Sequence, residues 1–168
     1  LFDTFAAVQA AGHIAFAAAG NSTTNNDVTP YYPANYALEN IISVAAMMQD
    51  GSRRPSSNVG LSTVDLAAPG DDIVSLTFGN TVIATGGTSL AAPQVAGTAA
   101  LILAEYPNLT FTQVRERILN TVVTSTEWAS LVATGGRLDS HAALGIWLDP
   151  TSAAAGNGSF ATPYRNFT

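Results

Sequence analysis

The sequence predicts an α/β fold built on a parallel sheet, and three observations carry that prediction. A helix-patterned segment feeds directly into a short apolar run, two further apolar runs of strand length follow, and a Gly-Gly-Thr-Ser turn opens a long helix of small residues. Strands without polar alternation are covered on both faces, as parallel sheets are.

The elements follow in order. Phe2, Phe5, Ala6 and Gln9 recur at helical spacing, and Gly12 ends that helix. The run from His13 to Ala19, closed by Gly20, reads as a strand buried on both faces, and Ile41 to Ala46 reads as a second. Val64 to Ala68, closed by Pro69-Gly70, is a shorter third strand, while Asn21 to Tyr36 is a polar, proline-marked loop. Asp72 to Thr77 and Thr81 to Thr85 flank Phe78-Gly79-Asn80, whose Gly and Asn supply the turn of a β-hairpin. From Ser89 to Glu105 a helix rich in Ala and Gly is expected to pack closely on every side, and Tyr106-Pro107-Asn108 ends it. Thr110 with Gln113 fits a capping box, and Val114, Ile118 and Leu119 give the following helix its core stripe.

Composition narrows the function classes. The chain has 168 residues, enough for one domain with a core of its own, and 47% of them are hydrophobic. Only 11% are charged, so Ser, Thr, Asn and Gly must make up much of the surface, as in extracellular proteins. A net charge of -6 without any lysine excludes the basic surface that nucleic acid or anionic lipid would require. There is no cysteine, hence no disulfide or thiolate metal site, and no apolar run approaches the roughly 18 residues of a membrane span. The opening residues lack a basic leader and cleavage site, so Leu1 reads as an internal starting point.

The chemistry lies in Gly87-Thr88-Ser89-Leu90-Ala91-Ala92-Pro93-Gln94-Val95-Ala96-Gly97. Glycines before a helix start let the backbone turn sharply and leave room for a substrate chain, while Ser89 falls among unpaired N–H groups at the positive end of the helix dipole. The segment resembles the nucleophile signature of the subtilisin-like serine peptidases, GTSMAAPHVAG in its usual form. Leu90 for Met conserves volume, and Gln94 replaces a histidine that is not the family's catalytic one. Ala17-Ala18-Ala19-Gly20-Asn21 resembles a second family segment. Further segments resemble the family in the expected order: Tyr32 to Tyr36, Ile42 to Ala46, Asp65 to Gly70, and Gly136 to Ala143.

The resemblance implies the C-terminal half of a subtilisin-like, three-layer parallel-sheet domain, with the hairpin leading into a buried nucleophile helix. Residues 1–148 would form that half, and 149–168, rich in Thr, Ser, Ala, Gly and Asn, a linker and the start of a further domain. It implies Ser89 as nucleophile, Asn21 as the side-chain donor to the oxyanion, and Ala18, Ala19, Gly20 and Thr88 as substrate-binding positions. Tyr31 would narrow the specificity pocket. In many relatives a cation sits near the segment corresponding to Ala34 to Tyr36 and the acid corresponding to Asp65; the extra residues Ala37 to Asn40 disturb that site, so a structural calcium ion is an open expectation and the metal ligands are unknown. The chemistry itself requires no cofactor.

The family's aspartate and histidine motifs, expected before the asparagine, are absent. His13 begins the strand that ends at Asn21, about 26 Å from that end at 3.3 Å per residue, and His141 falls in the segment of the family's last helix. Both read as structural. A serine without a base keeps its proton and is a poor nucleophile, so the chain alone is expected to be inactive. The expected partner is the N-terminal half carrying Asp and His; the expected substrate is a peptide or protein, and the expected location is secreted. The rival reading is a subtilase-derived scaffold kept for binding or assembly.

Overall fold

The computed structural model describes residues 1–145, so the expected linker over 149–168 and the last residues of the expected domain lie outside the described residues. The elements are α1 (Phe2–Ala10), β1 (Ala15–Ala18), β2 (Ile41–Met47), β3 (Leu66–Pro69), β4 (Ile73–Thr77), β5 (Thr81–Thr85), α2 (Thr88–Glu105), α3 (Phe111–Asn120), β6 (Val123–Thr124), β7 (Gly136–Arg137) and α4 (Ser140–Leu144). The main sheet runs β1-β2-β3-β7-β6, with β1, β2, β3 and β7 parallel and β6 antiparallel to β7. β4 and β5 pair separately as the expected hairpin, through a turn in which Gly79 and Asn80 have φ of 74° and 62°.

Alternation along β2 divides the core. Ile42, Val44 and Ala46 join Leu66 and Ala68 against α2, α3 and α4, whose Ala91, Val95, Ile102, Val114 and Ile118 are buried there. Ala45 and Met47 turn to the opposite face, where they meet Ala67, Trp128 and Val132, and Ile41 packs with Ala17, Phe5 and Tyr36. The sheet is thus the middle of three layers, and every residue of β2 is buried. Burying each large aliphatic side chain contributes about 1.5–3 kcal/mol, so this strand anchors the chain. The capping box at the start of α3 is formed as expected, with Thr110 Oγ1 accepting from the Gln113 N–H and the Gln113 side chain accepting from the Thr110 N–H.

Two expectations about burial are corrected. β1 is not buried on both faces: only Ala17 of its four residues is fully buried, because β1 is the edge of the sheet and pairs, among the described residues, with β2 alone. Nor is α2 packed on every side. Pro93, Gln94, Gly97, Ala100, Leu101 and Ala104 form a solvent-facing stripe at helical spacing, with Leu101 55% exposed. α1 likewise buries none of its residues fully. These surfaces are left uncovered by the described residues.

Candidate active site

The parallel strands bring the C-terminal end of β1 to the N-terminal start of α2. At that junction Gly20 and Gly87 adopt φ of 110° and 143°, a region side-chain-bearing residues rarely enter, so glycine is required at both. A Cβ on Gly20 would stand 2.4 Å from Asn58 Nδ2, and one on Gly87 would stand 3.1 Å from Asn21 Oδ1. The Asn21 carboxamide therefore lies directly over the Gly87 backbone.

Two hydrogen bonds lock the junction. Thr88 N–H donates to Asn21 Oδ1 at 2.9 Å, and Gly20 N–H donates to Thr88 Oγ1 at 3.2 Å. Residue 87 has no side chain with which to cap the helix, so Asn21 caps it from another element. Leu90 and Ala91 direct their N–H groups to Gly87 O. Within the first turn, the Ser89 N–H is left without a partner among the described residues, and so is Asn21 Nδ2. Asn21, bonded to the residue just before Ser89, thus leaves one donor free, as Ser89 does, and Ser89 is exposed at the positive end of an 18-residue helix. Pro93 lacks the N–H that would bond to the Ser89 carbonyl one turn earlier.

The positions expected to bind substrate lie around this junction. Ala18 is half-buried on the open edge of β1, while Ala19, Gly20 and Thr88 are buried. The Ala19 carbonyl accepts from Asn26 and Asn58 and Thr88 Oγ1 accepts from the Gly20 N–H, so Ala19 and Thr88 tie the strand end to the loop and the helix start. Tyr31 lies with its ring carbon Cγ 3.1 Å from where a Gly20 Cβ would be, flanking the same strand end.

Several residues that build the site carry no signal that sequence reasoning used. Asn26 and Asn58 are each 1% exposed and bond the loop carrying Asn21. Arg54 and Asp71 pair at 2.9 Å, and a Cβ on Gly86 would be 2.8 Å from both, so the ion pair braces the turn into α2. Arg54 lies in the polar stretch Gln49 to Asn58 beside a second arginine, so nothing local in the sequence sets it apart.

The cation site suggested by resemblance is differently used. Asp65 Oδ2 accepts from the Ser43 N–H at 2.7 Å and Oδ1 from Arg115 Nη2 at 2.8 Å. Both carboxylate oxygens are engaged and a guanidinium stands where a cation would need them, so these residues do not fit a divalent ion. Among the described residues no group of three or more His, Asp or Glu side chains is placed to hold a metal. His13 and His141 are exposed, the first before the start of β1 and the second on α4.

A model of the Subtilase family matches residues 3–161, nearly the whole chain. The chain belongs to the subtilase family. This subtilase chain is 42% identical over 113 residues to subtilisin DY of Bacillus licheniformis, covering 67% of its own length and 40% of that relative. It is 36% identical over 109 residues to subtilisin-like protease 2 of Plasmodium falciparum, covering 65% of itself and 8% of the relative. Among solved structures, a protease from Pseudoalteromonas arctica superposes with a TM-score of 0.74 at 28% identity, covering 86% of this chain and 45% of that one. The protease domain of PatA superposes with a TM-score of 0.72 at 25% identity, over 95% of this chain and 55% of that one. The α/β subtilisin-like fold is thereby established, and the chain spans less than half the length of the curated relatives it matches.

Proposed function

We propose that this chain is the C-terminal half of a secreted serine endopeptidase, with Ser89 the nucleophile and Asn21 Nδ2 and the Ser89 N–H the oxyanion donors. The supporting observation is that the Ser89 N–H and Asn21 Nδ2 are without partners among the described residues, while Asn21 Oδ1 is tied to the N–H of Thr88, the residue before Ser89. In the reaction, Ser89 Oγ adds to the scissile carbonyl carbon as a base takes its proton, and negative charge gathers on the carbonyl oxygen between the two donors. Return of the proton to the amine breaks the C–N bond and leaves an acyl-enzyme, which water hydrolyses by the same steps. Every group required is a side chain or backbone amide, so the chemistry needs no cofactor.

The base and its orienting acid come, in this reading, from an N-terminal half carrying His and Asp. Its place is suggested by the free edge of β1 and the uncovered stripe of α2, and by the share of the relatives' length that this chain leaves unmatched. Peptide backbone would lie along Ala18 to Gly20, and the chain alone would be inactive. Secretion fits the low charge content, and no helix among the described residues is long and apolar enough to cross a membrane. A calcium ion, if one stabilises the parent protein, would be held away from Asp65.

The test is covalent labelling of the assembled protein with a fluorophosphonate probe. Ser89 is expected to be modified, and Ser89→Ala to abolish labelling while leaving folding nearly unchanged. An intact assembly that does not label would instead support the rival scaffold reading, and a labelled Ser89→Ala protein would refute the assignment.

A further inference from the structure

One buried side chain fastens the loop on both sides of Asn21. Asn58 Oδ1 accepts from the Ser22 N–H at 2.8 Å and from the Thr24 N–H at 3.2 Å. Its Nδ2 donates to Ala19 O at 3.1 Å and to Asn26 Oδ1 at 3.0 Å, and its backbone N–H donates to Gly20 O at 2.8 Å. Asn26 closes the ring by donating to the same Ala19 carbonyl at 2.8 Å. A carboxamide offers two acceptor positions and two donors, and here all four are used. Residues 19, 20, 22 and 24 are thus held by Asn58, while the Asn21 side chain between them bonds, among the described residues, to Thr88 alone.

We propose that Asn58 is a positioning residue for the peptidase reaction: by clamping the loop over residues 19–24 it sets where Asn21 Nδ2 stands relative to the Ser89 N–H. The proposal rests on the reading of those two groups as oxyanion donors. Such donors act only when held within about 0.5 Å of their working place, and Asn21 is exposed on a loop whose backbone N–H groups at Ser22 and Thr24 are held by Asn58 Oδ1. The close approach of Asn58 to Gly20 adds a second constraint, since the space a Gly20 side chain would occupy is filled by the Asn58 amide.

The experiment is a double-mutant cycle in the complete parent peptidase, with a chromogenic peptide substrate and with active sites counted by fluorophosphonate titration. Asn58→Ala is expected to lower kcat per titrated site by about 10²-fold, the scale of an ångström-sized misplacement, with KM little changed. In an Asn21→Ala background the same change is expected to have no further effect on kcat, because the donor it positions is gone. A merely structural role would lower activity alike in both backgrounds, and that result overturns the proposal. If Asn58→Ala does not fold, Asn58→Asp replaces it in the cycle: it keeps the acceptors for Ser22 and Thr24 but turns an oxygen toward Ala19 O and Asn26 Oδ1. An unchanged kcat in the folded variant also overturns the proposal while the parent still labels at Ser89. A folded parent that does not label at Ser89 sinks the peptidase reading and this proposal with it.

Discussion

Asn21 Oδ1 accepts the Thr88 N–H at 2.9 Å, and through Thr88 Oγ1 the start of α2 returns a bond to the N–H of Gly20, immediately before Asn21. The two sides of the Asn21 carboxamide therefore differ: the oxygen caps the helix and contributes to stability, whereas the nitrogen is the proposed oxyanion donor. A substitution can separate the two.

Asn21→Ala is expected to remove both, lowering stability by about 1 kcal/mol as cap losses do and turnover of the assembled enzyme by about 10²- to 10³-fold, the loss that follows removal of the corresponding asparagine in subtilisin. Asn21→Asp retains an oxygen for Thr88 N–H and restores the cap, but it offers no N–H and places negative charge where negative charge must develop. Thermal melts of the two variants beside their kcat values check this. Equal turnover for wild type and Asn21→Asp would remove Asn21 from the chemistry.

Gly20→Ala should damage the site without touching a reactive group. A φ of 110° strains any L side chain by about 1–3 kcal/mol, and the new Cβ would fall 2.4 Å from Asn58 Nδ2 and 3.1 Å from Tyr31 Cγ. The expected result in the assembled protein is a lower melting temperature together with a lower kcat. Gly12→Ala, where the space is open and φ is 81°, serves as the control for strain alone.

Much of this arrangement is legible in the sequence because its signals are local. The hairpin is announced by Gly79-Asn80, the start of α2 by Gly86-Gly87, and the capping box of α3 by Thr110 and Gln113, each within a few residues of what it shapes. The Asn58 clamp is not local: it joins positions 34 and 36 residues apart, and a lone asparagine carries no periodicity to betray its burial. The exposed faces of β1 and α2 escape a sequence reading for a related reason. Apolar pattern records the burial of the whole domain, and it does not distinguish a surface covered by this chain from one covered by another segment.

Arg115 and Asp65 give a stability prediction independent of catalysis. The pair joins α3 to the residue just before β3, with side chains 24% and 18% exposed. Arg115→Ala leaves the Asp65 carboxylate partly buried beside the Ser43 N–H with its second oxygen unpaired, a loss of about 1–3 kcal/mol. Asp65→Ala in the same background is expected to cost less than it does in the wild type, which a double-mutant cycle by urea unfolding would read as a favourable coupling. Additive losses would mean that the two groups do not depend on one another.

Leu101 tests whether the uncovered stripe of α2 is a surface meant for another segment. It is 55% exposed between Gly97 and Ala104 on α2, and Ile14 and Phe16 of the β1 side are likewise only partly buried. A strand edge and a helix face left uncovered by the described residues are prone to pair with whatever they meet. The isolated chain is accordingly expected to self-associate at micromolar concentration, and Leu101→Gln to reduce that tendency. In the assembled peptidase the same substitution should weaken association by about 1–2 kcal/mol, part of the value of a buried leucine, which a titration of the two halves would read as a roughly tenfold rise in Kd. Sedimentation of the isolated chain as a stable, cooperatively folded monomer would show that these faces need no cover, and the case for a completing half would lose its structural support.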